Sequence, residues 1–436
     1  MNRGSVYCCG SFYSPEEKGY LSDISSFLEE NGFQTYLPHR DGIEDHLLRL
    51  HTRDKLSEET LSLARKAVFA LDVHQIIEKC DYLLFTMNGR VPDEGSVFKT
   101  ALAYATGKPL VLYKNDNRSI FHGNDNSMIT GLSHRFAAIN AVKKIPLYLR
   151  KAALASPPEK NSYSKAVPPQ VKAVMDIGRK ISSFLDKNPL SRATEKELIP
   201  TLEEIARLYK EAEWRSPPFP LTAQKGEKDV LKKVYCSGPL FCPAELQTMA
   251  EIADVFEGRG YRAYLPQRDG VEAFVMNMVD DVVGNAFIFK PFNRMVNKAV
   301  FALDIYQIIA SCDCFILNMN GRVPDEGGVV EAAVAFAAGK PIVIYKNGLH
   351  SACLGQDSPL LLGPTMYFKT VDALADLPAK LERTALGLSL PENSTYHDHA
   401  PPQVLKAIRF GGFVQRLLDL VQPFKPKNTL LKRMKR

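Results

Sequence analysis

Asn88–Gly95 reads NGRVPDEG, and Asn320–Gly327 reads NGRVPDEG again. Each copy follows a short stretch that is apolar throughout, Tyr82–Met87 or Cys314–Met319, as expected of a strand buried on both faces of a parallel sheet. Each precedes an alanine-rich stretch of helical character, Val97–Thr106 or Val329–Ala338. The string is therefore the loop of a strand–loop–helix unit, and the chain carries that unit twice. Outward from it, KAVFALD recurs at Lys66–Asp72 and Lys298–Asp304, and GKP followed by YKN recurs from Gly107 and Gly339. Repetition of several landmarks at nearly constant offset marks an internal duplication.

The flanking segments complete the pattern. Each copy opens with an apolar strand, Ser5–Cys9 or Lys233–Cys236, followed by a Gly-Ser or Gly-Pro loop and an amphipathic helix, Glu16–Asn31 or Ala244–Gly258. A second strand follows at Gln34–Leu37 or Arg262–Leu265, and a last one at Leu110–Tyr113 or Ile342–Tyr345. Strand–helix alternation predicts an α/β class with two tandem doubly wound, flavodoxin-like domains, each a central parallel sheet flanked by helices with its site at the carboxyl ends of the strands. AVPPQV at Ala166 and APPQV at Ala400 each open a final helix with proline in the first turn, so residues 1–188 and 230–424 are the two domains. Between them, residues 189–229 form a helical linker: Thr194–Trp214 places Leu198, Leu202, Ile205 and Tyr209 on one side, and SPPFPLTAQKGEKD follows as a flexible connection. Residues 425–436, KPKNTLLKRMKR, form a basic tail, solvated or used for targeting or nucleic acid.

Composition narrows the class. The 436 residues are 45% apolar, and 55 basic against 49 acidic residues leave +6, too mild a charge to imply nucleic acid. No apolar run reaches membrane-spanning length, and MNRGSVYCCG is not a secretory signal, so a cytoplasmic protein with no membrane partner is expected. The eight cysteines form no CxxC pair and read as buried free thiols, with Cys312-x-Cys314 alone too weak for a zinc site.

Three carboxylates gather around the second NGRVPDEG. Asp325 lies in the loop and Glu331 six positions later on the following helix, both near its N-terminus, where the helix dipole favours negative charge. Asp304 sits in an apolar helical run, either on a solvent edge or directed into a pocket. Such a set could divide labour between a nucleophile or charge stabiliser and a proton donor. Equally, Asp325 could simply cap the helix.

The combination of strand, NGRVPDEG, Glu331 on the helix, GKP, an upstream helical aspartate and a first strand running VYCSGPLF resembles the nucleoside 2-deoxyribosyltransferase family across both domains. The resemblance implies Glu331 as nucleophile, Asp304 and Asp325 as its acidic partners, Tyr235 and Gly238 at the substrate and, more loosely, Gln267 at the base. It implies a double displacement at the sugar C1′, with a deoxyribonucleoside as donor, a free nucleobase as acceptor and no metal or organic cofactor. Capture by water would instead make an N-glycoside hydrolase of nucleosides or nucleoside 5′-monophosphates. A noncatalytic nucleoside- or nucleotide-binding protein is the alternative from another class.

The first copy keeps Tyr7, Asp72 and Asp93 but has Lys99 at the nucleophile position. An ammonium cannot attack C1′ and is expected to pair with a nearby aspartate, which makes this copy a pseudoenzyme; a Schiff-base role has no carbonyl substrate to serve. The resemblance also implies an Asn-x-Met asparagine that completes the neighbouring pocket. Asn126-Ser127-Met128 has it, whereas the second copy has Asp357-Ser358-Pro359. Asn126 is thus expected to enter the pocket of Glu331, in an intramolecular pseudo-dimer that could stack into a higher homo-oligomer. Each copy runs on past the position of the family's terminal carboxylate, so base preference is not implied.

Overall fold

The computed structural model describes residues 3–51, 55–89, 93–116, 125–157, 163–190, 193–212, 233–272, 286–321, 325–348, 357–365, 368–388 and 395–421. The basic tail, the SPPFPLTAQKGEKD connection and the RVP centre of both NGRVPDEG strings lie outside them.

Four parallel strands form each sheet. Ser5–Cys9 (β1), Gln34–Tyr36 (β2), Tyr82–Thr86 (β3) and Leu110–Tyr113 (β4) are ordered β2-β1-β3-β4. Lys233–Ser237 (β5), Arg262–Tyr264 (β6), Cys314–Asn318 (β7) and Ile342–Tyr345 (β8) repeat that order as β6-β5-β7-β8. The register repeats as well, with Tyr7 opposite Leu83 and Tyr235 opposite Phe315. In both sheets the chain first builds outward on one side of the opening strand and then crosses to its other side. That reversal leaves a crevice at the carboxyl ends of β5 and β7, the place where such folds hold ligands.

The helices that frame the site and the domain contact are Pro15–Glu30 (α1), Glu58–His74 (α2), Glu94–Ala105 (α3) and Pro169–Leu185 (α4) in the first domain, with Glu195–Ala212 (α5) between the domains. The second domain contributes Pro243–Glu257 (α6), Ala286–Tyr306 (α7), Glu326–Ala337 (α8) and Pro402–Val421 (α9). Local chemistry starts them as the sequence suggests: Ser14 and Glu17 form a capping box on α1, and Asp93 and Asp325 cap α3 and α8. The helical stretches upstream of β3 and β7 each end in a π turn, Gln75–Lys79 and Gln307–Ser311. None of the described helices is long and apolar enough to cross a membrane.

The two domains share one core through a pseudo-twofold contact. α3 packs on α8, and Phe336 meets Phe69 and Phe98 at ring separations of 5.4 and 6.3 Å. Tyr163 donates to the carbonyl of Ala337 at 3.1 Å while Tyr396 donates to that of Ala105 at 2.6 Å, and the two rings meet edge to face. Gly131 lies on the ring of Phe301 as Gly363 lies on that of Phe69; a Cβ at either would stand 2.3 Å from the ring, so only glycine permits the approach. α5, read from sequence as part of a linker, instead docks on α2 and α4 and buries Leu198, Leu202, Ile205 and Tyr209.

Candidate active site

Strand alternation points Tyr235 and Ser237 to one face of β5, with Cys236 on the other. On that face α8 presents Glu331, and both its oxygens are engaged: Tyr235 Oη donates to Oε1 at 2.9 Å and Ser237 Oγ to Oε2 at 2.5 Å. Gly328, one turn earlier, makes room, since a Cβ there would lie 2.8 Å from Ser237 Oγ. Glu331 is 6% exposed. Burial raises its pKa to about 8; the Ser237 and Tyr235 hydrogen bonds work against that rise and the charges of Asp325 and Glu272 add to it.

Asp304 is buried, which removes the solvent-edge alternative, and its Oδ1 has no hydrogen-bond partner. Its carboxyl is held well above the usual carboxylate range by burial first, then by Glu272 and Glu331. Asp325 does both things that its position allowed: its Oδ2 accepts from Gly328 N at 2.7 Å as the helix cap, and it stands close enough to Glu331 to raise that residue's pKa. Burial lifts Asp325 to about 6 while the Gly328 and Gly327 amides hold it down.

Sequence reasoning missed Glu272, which stands half-buried beside Asp304 and is lifted to about 7, chiefly by burial. A signal was present, because the copies align PHRDGIE (Pro38–Glu44) with PQRDGVE (Pro266–Glu272) and keep the glutamate. It also missed Ser237 as a partner of Glu331. Gly238 and Gln267 are placed differently from the carboxylates. Gly238 packs where a Cβ would meet Asn318 and Met249 at 2.7 Å, and Gln267 donates to the carbonyl of Leu246 at 3.2 Å.

The first copy shows what the charge reversal does. Lys99 Nζ lies 3.0 Å from Asp72 Oδ2 and 3.0 Å from Glu44 Oε1, and Tyr7, with no glutamate to serve, donates to Asp72 Oδ1 at 2.5 Å. Burial opposes the ammonium, but Asp72 and Glu44 outweigh it and hold Lys99 above its ordinary pKa. Cys9 occupies the position of Ser237, so the second hydroxyl donor is gone as well.

Asn126 reaches the second domain. Its Oδ1 accepts from Met128 N at 2.9 Å as the cap of Ser127–Gly131, and its Nδ2 lies 3.7 Å from the point where a Cβ on Gly327 would stand, with Asp325 Oδ2 3.2 Å from that point. Ser358 holds the mirror position, with Oγ 3.8 Å from the corresponding point on Gly95.

The profile of the nucleoside 2-deoxyribosyltransferase family matches residues 6–141 and 234–377, once in each domain. The chain belongs to that family and carries the family domain in tandem. No curated protein matches the chain. Among solved structures, one described as the glycotransferase of kitacinnamycin aligns over 98% of this chain and 100% of its own at 12% identity, with a TM-score of 0.22, a likeness too distant to carry an argument.

The buried acid at the centre has a consequence for stability. A carboxyl whose folded pKa is raised from the ordinary 4.5 to about 8 favours the fold below pH 4.5 and loses that contribution as pH rises toward 8. Glu331→Gln removes the ionisation. Thermal unfolding is expected to show the variant more stable than the wild type near pH 8, by about 2–4 °C for each kcal/mol recovered, with the gap closing below pH 5.

Proposed function

We propose that the protein transfers a 2-deoxyribosyl group between nucleobases through a covalent intermediate on Glu331, with the first domain noncatalytic. A Glu331 oxygen attacks C1′ from the face opposite the base. The C1′–N bond breaks, its electron pair stays on the base nitrogen, and a proton from Asp304 or Asp325 neutralises the departing base. A second base then attacks C1′, displaces the glutamate and returns its proton to the acid, so two inversions restore the original configuration. The observation that carries this reading is the hold on Glu331. Two hydroxyl donors aim at its oxygens and favour the carboxylate, while Asp304, with an unpartnered oxygen and neighbouring negative charge, favours keeping its proton. At Glu331 the two hydrogen bonds thus work toward the carboxylate against the burial that raises its pKa to about 8, whereas at Asp304 burial and the neighbouring carboxyls act together to keep the proton.

Burial of Glu331 favours a base over water as acceptor, because an excluded solvent cannot readily reach the ester. The test is incubation with a 2-deoxyribonucleoside, with and without a different free base. A new deoxynucleoside that requires the added base supports transfer; free base released equally in both cases makes the protein a hydrolase; no product in either overturns catalysis.

Asn126 is proposed to donate its amide to the sugar 5′-hydroxyl from across the domain boundary. Asn126→Ala is expected to lower kcat/KM by about 2–10-fold, the worth of one neutral hydrogen bond, mostly through KM. Steady-state kinetics check it, and unchanged constants would reduce the first domain to a scaffold.

A further inference from the structure

The pseudo-twofold is broken on one outer face. In the first domain the groove beside α2 and α4 is filled by α5, whose Tyr209 ring lies 5.9 Å under Lys66 Nζ. In the second domain the same place, beside α7 and α9, is covered by no helix among the described residues. It opens as a cleft of about 580 Å³ lined by Tyr104, Arg294, Lys298, Phe301, Lys406 and Phe410, among others. The contrast shows at matched positions: Ile177 on α4 is 4% exposed, and Phe410 on α9 is 41% exposed.

We propose that this groove binds an acidic amphipathic helix of a partner protein. Three observations bear on the occupant. Along α9, besides the terminal Val421, the exposed apolar residues are Phe410, Phe413, Leu417 and Leu420, at the spacing i, i+3, i+7, i+10 of a seam that pairs with another helix. Its sister groove is filled by a helix, and that helix is net acidic, with five glutamates against three cations over residues 195–212. The open groove is the more basic of the two: Arg294, Lys298 and Lys406 are exposed, no ion pair is formed by them among the described residues, and no acidic residue lines the cleft. On α9 itself the lone acid, Asp419, accepts from Gln415. Like charge argues against the other occupants close at hand. A second copy would bring the same cations, and residues 422–436 carry six lysines and arginines and no acid.

The probe is a fluorescent peptide of residues 195–212, the sequence that fills the sister groove, titrated by anisotropy against the full chain, beside a more acidic version carrying K196E, R207E and K210E. Saturable binding is expected, tighter for the acidic version, weakened by salt, and reduced at least about tenfold by Phe410→Glu or by K298E with K406E. These side chains are exposed, and thermal unfolding checks that the variants keep the fold. The proposal is overturned if neither peptide saturates, or if Phe410→Glu leaves binding unchanged. It is equally overturned if sedimentation shows a dimer that Phe410→Glu dissociates, or if an oligonucleotide, rather than the peptides, binds in a Phe410-dependent way.

Discussion

Glu331→Ala is expected to abolish base exchange, with kcat lowered on the order of 10⁴-fold or more while nucleoside affinity stays within about tenfold. The asymmetry follows from what the side chain does in the proposed reaction. Its oxygen forms the bond to C1′, an interaction absent from the bound ground state, so its loss falls on the chemical step. Wild-type protein mixed with a deoxynucleoside and no acceptor should gain the mass of one deoxyribosyl group, localised to a peptide containing Glu331, and the variant should gain nothing. A variant that retained turnover would move the nucleophile to Asp304, Asp325 or Glu272, the other carboxyls in the cluster. A wild type that binds but never turns over would make the second domain a sensor.

Much of this arrangement is legible in the chain because duplication supplies an internal comparison. Against the repeated frame from KAVFALD to GKP, one charge reversal, Glu331 against Lys99, stands out without structural information. Strand positions were legible because strands buried on both faces are short apolar runs; the last strand of each domain falls on the residues expected, Leu110–Tyr113 and Ile342–Tyr345. Periodicity reports which face of an element is apolar and says little about which distant element covers it. Hence α5 read as a spacer although its apolar side is the lid of a groove. Glu272 escaped notice for a related reason: it lies beyond β6 and the short helix Pro266–Asp269, and only the fold brings it against Asp304, whose helix comes later in the chain. Ser237 lies one residue past the strand read as Lys233–Cys236, but two-residue alternation from Tyr235 puts both on the face of Glu331. The same alternation, applied to Tyr7 and Cys9, marks the first copy as doubly altered.

That alteration sets the second large expectation, for stability in place of activity. Lys99→Met keeps the length and most of the volume of the side chain but removes the cation between Asp72, which is buried, and Glu44, which is largely so. Two neighbouring carboxyls would then lose their counter-charge, and a broken buried ion pair typically costs about 3–5 kcal/mol. Burial already lifts Glu44 to about 8 with Lys99 in place, so in the variant Glu44 would relieve the strain by taking up a proton. Its folded pKa moves further above the unfolded one, and the stability it contributes at low pH is lost as pH rises. Unfolding of the first domain is therefore expected to fall by about 6–20 °C near pH 8 and by much less near pH 5. Because Asn126 and the core at Phe69, Phe98 and Phe336 couple the domains, transferase activity at moderate temperature should survive until the first domain melts and then disappear with it. Calorimetry against pH, run beside activity against temperature, reads both. Equal destabilisation at pH 5 and pH 8 would show that Lys99 is held for packing and that its charge is incidental, and activity persisting above the first transition would show that the second domain works alone.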